Sequence, residues 1–171
     1  MHSLKSIHIA GSIFTFICGT LLHFVWEWSG KSNFTAIFSA VNESTWEHLK
    51  LLFVPFIVFS IMEYFVYGKH MKCFFTIKAR SVLLGMLTII TVFYTYTGIL
   101  GTHYFVLDIG TFILGVIVSY RYSYKYLRDC TNTCSVYTEL FAILIIIIVA
   151  IAFAIFTFYP PKLGLFLPPV F

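Results

Sequence analysis

Apolar residues run almost without interruption over five stretches of the chain, each bounded by a short polar or charged segment. The first covers residues 7–28, broken only by His8, His23 and Glu27 among apolar and small side chains. The others are 43–67, 79–97, 104–122 and 136–158, and the block Ile145–Ile148 in the last is the most lipid-like. A helix needs about 20 apolar residues to cross the hydrocarbon of a bilayer, so the pattern predicts five transmembrane helices. The first run is too long for a signal peptide and no Ala-x-Ala-like site follows it, so it is expected to be retained. Pro55 falls near the first turns of the second run and is expected to kink that helix without ending it.

Ser29 to Val41 is too short and too polar to cross, yet Phe34, Ile37, Phe38 and Val41 recur at helical spacing. That predicts a short helix lying in the membrane interface between the first and second spans. Asn42 is a candidate cap, and Ser44-Thr45-Trp46-Glu47 has the form of a capping box opening the second span. Tyr159-Pro160-Pro161 ends the fifth helix and Pro168-Pro169 keeps the tail extended. With no internal repeat and no linker, residues 1–171 read as one transmembrane domain, an all-α integral membrane bundle.

Composition narrows the class further. The chain is 60% hydrophobic and 11% charged with a mean hydropathy of +0.92, against roughly 25% charged residues in a soluble domain. Soluble, disordered, fibrous and nucleic-acid-binding classes are excluded on that ground. Lys5, Lys69, Lys72, Lys78, Arg80, Arg121, Lys125 and Arg128 fall on one side of the five spans, and only Lys31, Lys50 and Lys162 on the other. By the positive-inside tendency the N-terminus is cytoplasmic and the C-terminus outside. Trp26, Trp28 and Trp46 then mark the outer interface, and Tyr120, Tyr122, Tyr124 and Tyr126 the inner one. The net charge of +4 follows from this arrangement over an anionic leaflet, with a lipid bilayer as partner and no nucleic acid.

Within the spans, Gly11, Thr15, Gly19, His23 and Glu27 recur every four residues and lie on one stripe of the first helix. Asp108, Thr111, Gly115 and Ser119 form a similar stripe on the fourth, and Ser81, Gly85, Thr88, Thr95 and Gly98 on the third. Their small members are expected to let neighbouring helices approach closely. The ionisable residues share one depth near the outer leaflet: His23 and Glu27, then Glu43, Glu47 and His48, then His103 and Asp108. Such groups inside a membrane mark a site by default. Imidazole and carboxylate suit a divalent transition metal such as zinc, manganese or iron. The expected ligands are His23, Glu27, His48, His103 and Asp108, with Glu43 or Glu47 as general base. The same residues also fit a purely structural network, in which Glu47 is a capping acid and Glu43 sits at a helix N-terminus. No HExxH is present. Glu63 is expected to pair with Arg80 or Lys78.

A second metal set is conceivable at the other end, where Cys73, Cys130, Cys134 and His70 fall in loops expected to face a reducing compartment. Cys18 is expected to be inert. Asn33-Phe34-Thr35 and Asn42-Glu43-Ser44 are formal glycosylation acceptors, relevant only in a eukaryote.

The string Phe38-Ser39-Ala40-Val41-Asn42-Glu43-Ser44-Thr45-Trp46-Glu47-His48-Leu49-Lys50-Leu51, after Leu22-His23-Phe24-Val25-Trp26-Glu27-Trp28-Ser29-Gly30, resembles small bacterial membrane proteins of the domain of unknown function 6512 family. The resemblance runs nearly end to end and includes the Tyr-Pro-Pro segment and a late Pro. It implies a bacterial cytoplasmic-membrane location and supplies no activity. Lys162 stands where a His would be expected, which argues against a ligand from the tail. Ser44-x-x-x-His48 with Asp108 is distantly similar, by analogy only, to ceramidase and progestin-receptor-like membrane hydrolases, whose seven spans and late His-x-x-x-His are missing here.

Three functions fit. The first is a metal-dependent membrane hydrolase at the outer leaflet. The second is a carrier or accessory transport subunit for a small ion or solute, working as a homo-oligomer or with a membrane protein partner. The third is a structural or regulatory membrane partner.

Overall fold

The computed structural model describes residues 4–129 and 133–169. It is all-helical among those residues, with α1 (Leu4–Trp28), α2 (Asn33–Ala36), α3 (Thr45–Val66), α4 (Phe74–Leu100), α5 (Phe105–Arg128) and α6 (Val136–Phe158). Five of these, all but α2, are long and apolar enough to cross a membrane. Their outward faces are apolar, as at Ile147, Ile148, Ile151 and Ile155 on α6. The helices α4 and α5 continue beyond the apolar runs 79–97 and 104–122, because residues in the added turns, such as Lys78, Lys125 and Arg128, are helix formers.

Local chemistry sets the ends. Ser44 is extended and its hydroxyl accepts from the Glu47 N–H at 3.3 Å, so it caps α3. The capping box is only half formed, since the Ser44 N–H goes to Asn42 Oδ1 at 2.9 Å and the Glu47 carboxylate turns elsewhere. Gly101 closes α4 in the left-handed region, its N–H reaching Thr97 O at 2.8 Å. Pro55 stays inside α3 without breaking it. The interfacial helix is far shorter than Ser29 to Val41: only Asn33–Ala36 is helical. Side chains of α3 take its backbone groups instead, Lys50 Nζ donating to Ala36 O at 2.8 Å and the Val41 N–H donating to Glu47 Oε2 at 3.0 Å.

Helix α3 is the most deeply packed span, touching α1, α4, α5 and α6. Leu49, Leu52, Phe53 and Phe56 from α3 meet Val82, Met86 and Ile89 from α4, with Val116 and Tyr120 from α5 and Phe153 from α6. The small-residue stripes lie at the contacts: Gly11, Thr15 and Gly19 are buried on α1, and Thr111, Gly115 and Ser119 on α5. On α4 the stripe is buried at Ser81 and Gly85 but ends there, Thr95 and Gly98 being exposed. A Cβ at Gly85 would lie 1.9 Å from Ser119 Oγ and 2.8 Å from Gly115 O. The second contact is backbone, so rotamer change alone does not relieve it. Gly85→Ala is therefore expected to destabilise the bundle by about 1–3 kcal/mol, read as a lower unfolding midpoint in micelles, while Gly98→Ala, with open space around it, is expected to change little.

At the end where α3 finishes and α4 begins, Glu63 pairs with Lys78 rather than Arg80, both partners 1% exposed. Lys78 also faces the rings of Phe56, Phe74 and Tyr120, and Tyr67 donates to Glu63. His8 joins the same region, its Nε2 3.0 Å from Ser123 Oγ. Cys73 and Cys134 form a disulfide joining the starts of α4 and α6. That overturns the zinc set of Cys73, Cys130, Cys134 and His70, because the sulfur valences of two members are spent on each other. Cys130 lies outside the described residues. Glu139 reinforces the junction by accepting the Phe75 and Thr76 N–H groups at 2.9 and 3.2 Å.

Candidate functional site

At the opposite end of the bundle, α1 finishes, the loop before α3 crosses it, and α3 starts. His23 lies just over one turn from the end of α1, Glu43 sits in the loop, and His48 lies in the first turn of α3. Close α1–α3 packing, in which a Cβ at Gly19 would be 2.4 Å from Leu51 O, brings the two imidazoles together. Their ring centroids are 5.2 Å apart. Glu43 Oε1 is 3.8 Å from His23 Nε2, and Oε2 is 3.4 Å from His48 Nε2. One ligand atom from each of the three residues lies within 4.8 Å of the other two.

The carbonyl oxygen of Ser44 can only accept, so His48 Nδ1, 2.9 Å from it, carries a proton and donates. In the neutral ring Nε2 is then a lone-pair donor aimed at a carboxylate. A second proton on the ring, or a cation between the two atoms, would make that contact favourable. The same hydrogen bond is the outer contact that commonly orients a metal-bound imidazole. His23 Nδ1 is buried with no hydrogen-bond partner among the described residues. Glu43 has an exposed side chain, and the hydrogen bond from His48 holds its carboxyl below the usual carboxylate range, with burial opposing and the fields of His48, His23 and His103 assisting.

The remaining candidates divide. His103 Nδ1 is 2.9 Å from Asp108 Oδ2, and Tyr96 donates to the other carboxylate oxygen. This pair is near enough for Asp108 to act electrostatically on His48, and His103 on Glu43. Glu27 is exposed and stands outside the three-residue cluster, acting on His23 only through its field. Glu47 is 2% exposed and committed elsewhere: to Lys50 Nζ at 2.6 Å, the Val41 N–H at 3.0 Å and Thr157 Oγ1 at 2.9 Å. Both of its carboxylate oxygens are thus engaged away from His23, Glu43 and His48. Tyr96 and Thr157 went unnoticed in the sequence, since a lone hydroxyl on an apolar helix carries no signal of its partner.

Five apolar helices with a polar cluster at one end define a multi-pass membrane protein in a lipid bilayer environment. The chain belongs to the family of unknown function DUF6512, which it matches over residues 1–170. No curated protein and no solved structure matches it.

Proposed function

We propose that His23, Glu43 and His48 bind a divalent transition metal, zinc by their ligand chemistry, and that the protein is a metal-dependent hydrolase acting at the membrane surface. The observation that carries this reading is the convergence of two imidazoles and one carboxylate from three chain segments within 4.8 Å. Two His and one carboxylate are the three-ligand donor set of catalytic zinc sites, which would leave one position for water. A metal held there would supply an acidified water, of pKa about 7, and a Lewis acid for a carbonyl or phosphoryl oxygen. In this reading His103, held through Nδ1 by Asp108, is the candidate proton acceptor beside the cluster rather than one of its ligands. The substrate is an amphiphile whose polar group reaches the ends of the helices. The basic residues near the other end of the bundle favour an outward-facing site in a cytoplasmic membrane, with the N-terminus inside. Labelling by an impermeant maleimide of a Cys placed at Lys162, and not of one placed at Lys69, is the result expected for that orientation.

Zinc-loaded protein in proteoliposomes is expected to cleave at least one of a panel of ester, amide and phosphodiester amphiphiles. That turnover should stop on chelation and in Glu43→Gln. Metal bound without turnover on any class would remove the hydrolase and leave a binding protein. Protons compete with metal for the imidazole nitrogens. Affinity should therefore hold above about pH 6.5, the ordinary imidazole range, and fall as pH drops through it. Carboxylates ionise below that window, so Glu43 does not set the midpoint. Titration of zinc affinity from pH 8 to 5 checks the sign.

A further inference from the structure

We propose that the Cys73–Cys134 disulfide is a thiol-exchange site that reacts with a small anionic thiol. The bond lies on a cavity of about 250 Å³ at the end of the bundle remote from the His23 cluster, lined also by Arg80, Thr76, Tyr122 and Tyr126. A structural disulfide packed away from solvent would offer neither sulfur to a reagent. Here the two residues differ: Cys73 is 3% exposed, while Cys134 is only half-buried, so Cys134 is the side from which a reagent can approach. Arg80 is exposed and lines the same cavity, the positive charge there for an incoming carboxylate or thiolate, while the Glu139 carboxylate, within 4.8 Å of both sulfurs, is turned to the α4 N-terminus and accepts its N–H groups.

The chemistry follows from access. An external thiolate attacks Cys134 Sγ, forming a mixed disulfide as the Cys73–Cys134 bond breaks and its electron pair leaves on Cys73. A second thiolate attacks the small-molecule sulfur of that mixed disulfide, releasing Cys134 and an oxidised small-molecule disulfide. Two thiols are oxidised, the protein cystine is reduced, and the two thiol protons end on Cys73 and Cys134. The helices need not part, because Glu139 still holds the α4 N-terminus through the Phe75 and Thr76 N–H groups. The geometry is independent of which way the chain crosses the membrane. In the orientation proposed above, the cavity opens to the compartment richest in such thiols.

The test uses full-length protein with Cys18→Ser and Cys130→Ser, oxidised and purified without denaturant. Released thiols are counted by a maleimide mass tag after exposure to glutathione or to neutral 2-mercaptoethanol. Glutathione is expected to open the bond in the folded protein. Arg80→Gln is expected to slow glutathione by about 3–10-fold through lost electrostatic attraction and to leave the 2-mercaptoethanol rate unchanged. With Cys73→Ser, oxidised glutathione should leave an adduct on Cys134; with Cys134→Ser, none should form on Cys73. A bond that opens only after denaturation would overturn the proposal, as would equal effects of Arg80→Gln on both thiols or equal adducts on both cysteines.

Discussion

Lys50→Met, with Glu47 left in place, is expected to destabilise the protein by about 3–5 kcal/mol, the cost of leaving one partner of a buried ion pair uncompensated. Lys50 has no exposed side-chain surface and Glu47 is 2% exposed. The ammonium uses all three of its donors, on Glu47, on Ala36 O at 2.8 Å and on Thr157 Oγ1 at 2.9 Å. One substitution thus releases the loop before α3 and loosens α6 together. Removing both charges, in Glu47→Gln with Lys50→Met, is expected to recover much of the loss, since the desolvation cost disappears with the pair. Unfolding midpoints of the two singles and the double in micelles read the difference. A single variant costing under about 1 kcal/mol would show the pair to be water-filled and weak.

The second large effect concerns the His23 cluster. His48→Ala is expected to lower zinc affinity by more than the about 10–100-fold that loss of an outer-shell partner costs. It removes a ligand and exposes Glu43 to a single imidazole. Glu27→Gln, one turn beyond His23 on the same stripe, is expected to leave affinity within a few-fold, because Glu27 stands outside the cluster. Equal losses in the two variants would mean that the whole acidic end attracts cations without a defined site. Competition titration against a chromogenic chelator measures both.

Much of this was legible before the coordinates. Gly11, Thr15 and Gly19 declared themselves by their period, since a four-residue repeat can only form one stripe of a helix and that stripe packs. The shared depth of His23, Glu43 and His48 followed from counting along apolar runs of known length. Depth gives no azimuth, so from depth alone Glu27 reads as a ligand and Glu43 as a base, whereas Glu43 is the carboxylate that lies with the two imidazoles. Glu47 and Lys50 were harder still. Their fate is decided by Thr157, 110 positions from Glu47, and by the carbonyl of Ala36 at the end of α2. That contact also explains why the interfacial helix shrank to Asn33–Ala36: its later backbone groups found side-chain partners on α3. The Cys73–Cys134 bond, 61 positions apart, depends on how the starts of α4 and α6 meet. Local sequence carries no trace of that.

The most direct measurement is the metal content of the protein, purified in detergent without chelators and analysed beside Glu43→Gln and His23→Ala. Close to one zinc, manganese or iron per chain in the parent, lost in both variants while Glu27→Gln keeps it, is the result expected from two imidazoles and a carboxylate converging at the start of α3. A parent chain that carries no metal and takes up none from micromolar zinc would contradict the account, and the cluster would then be a proton-bridged joint between α1 and α3.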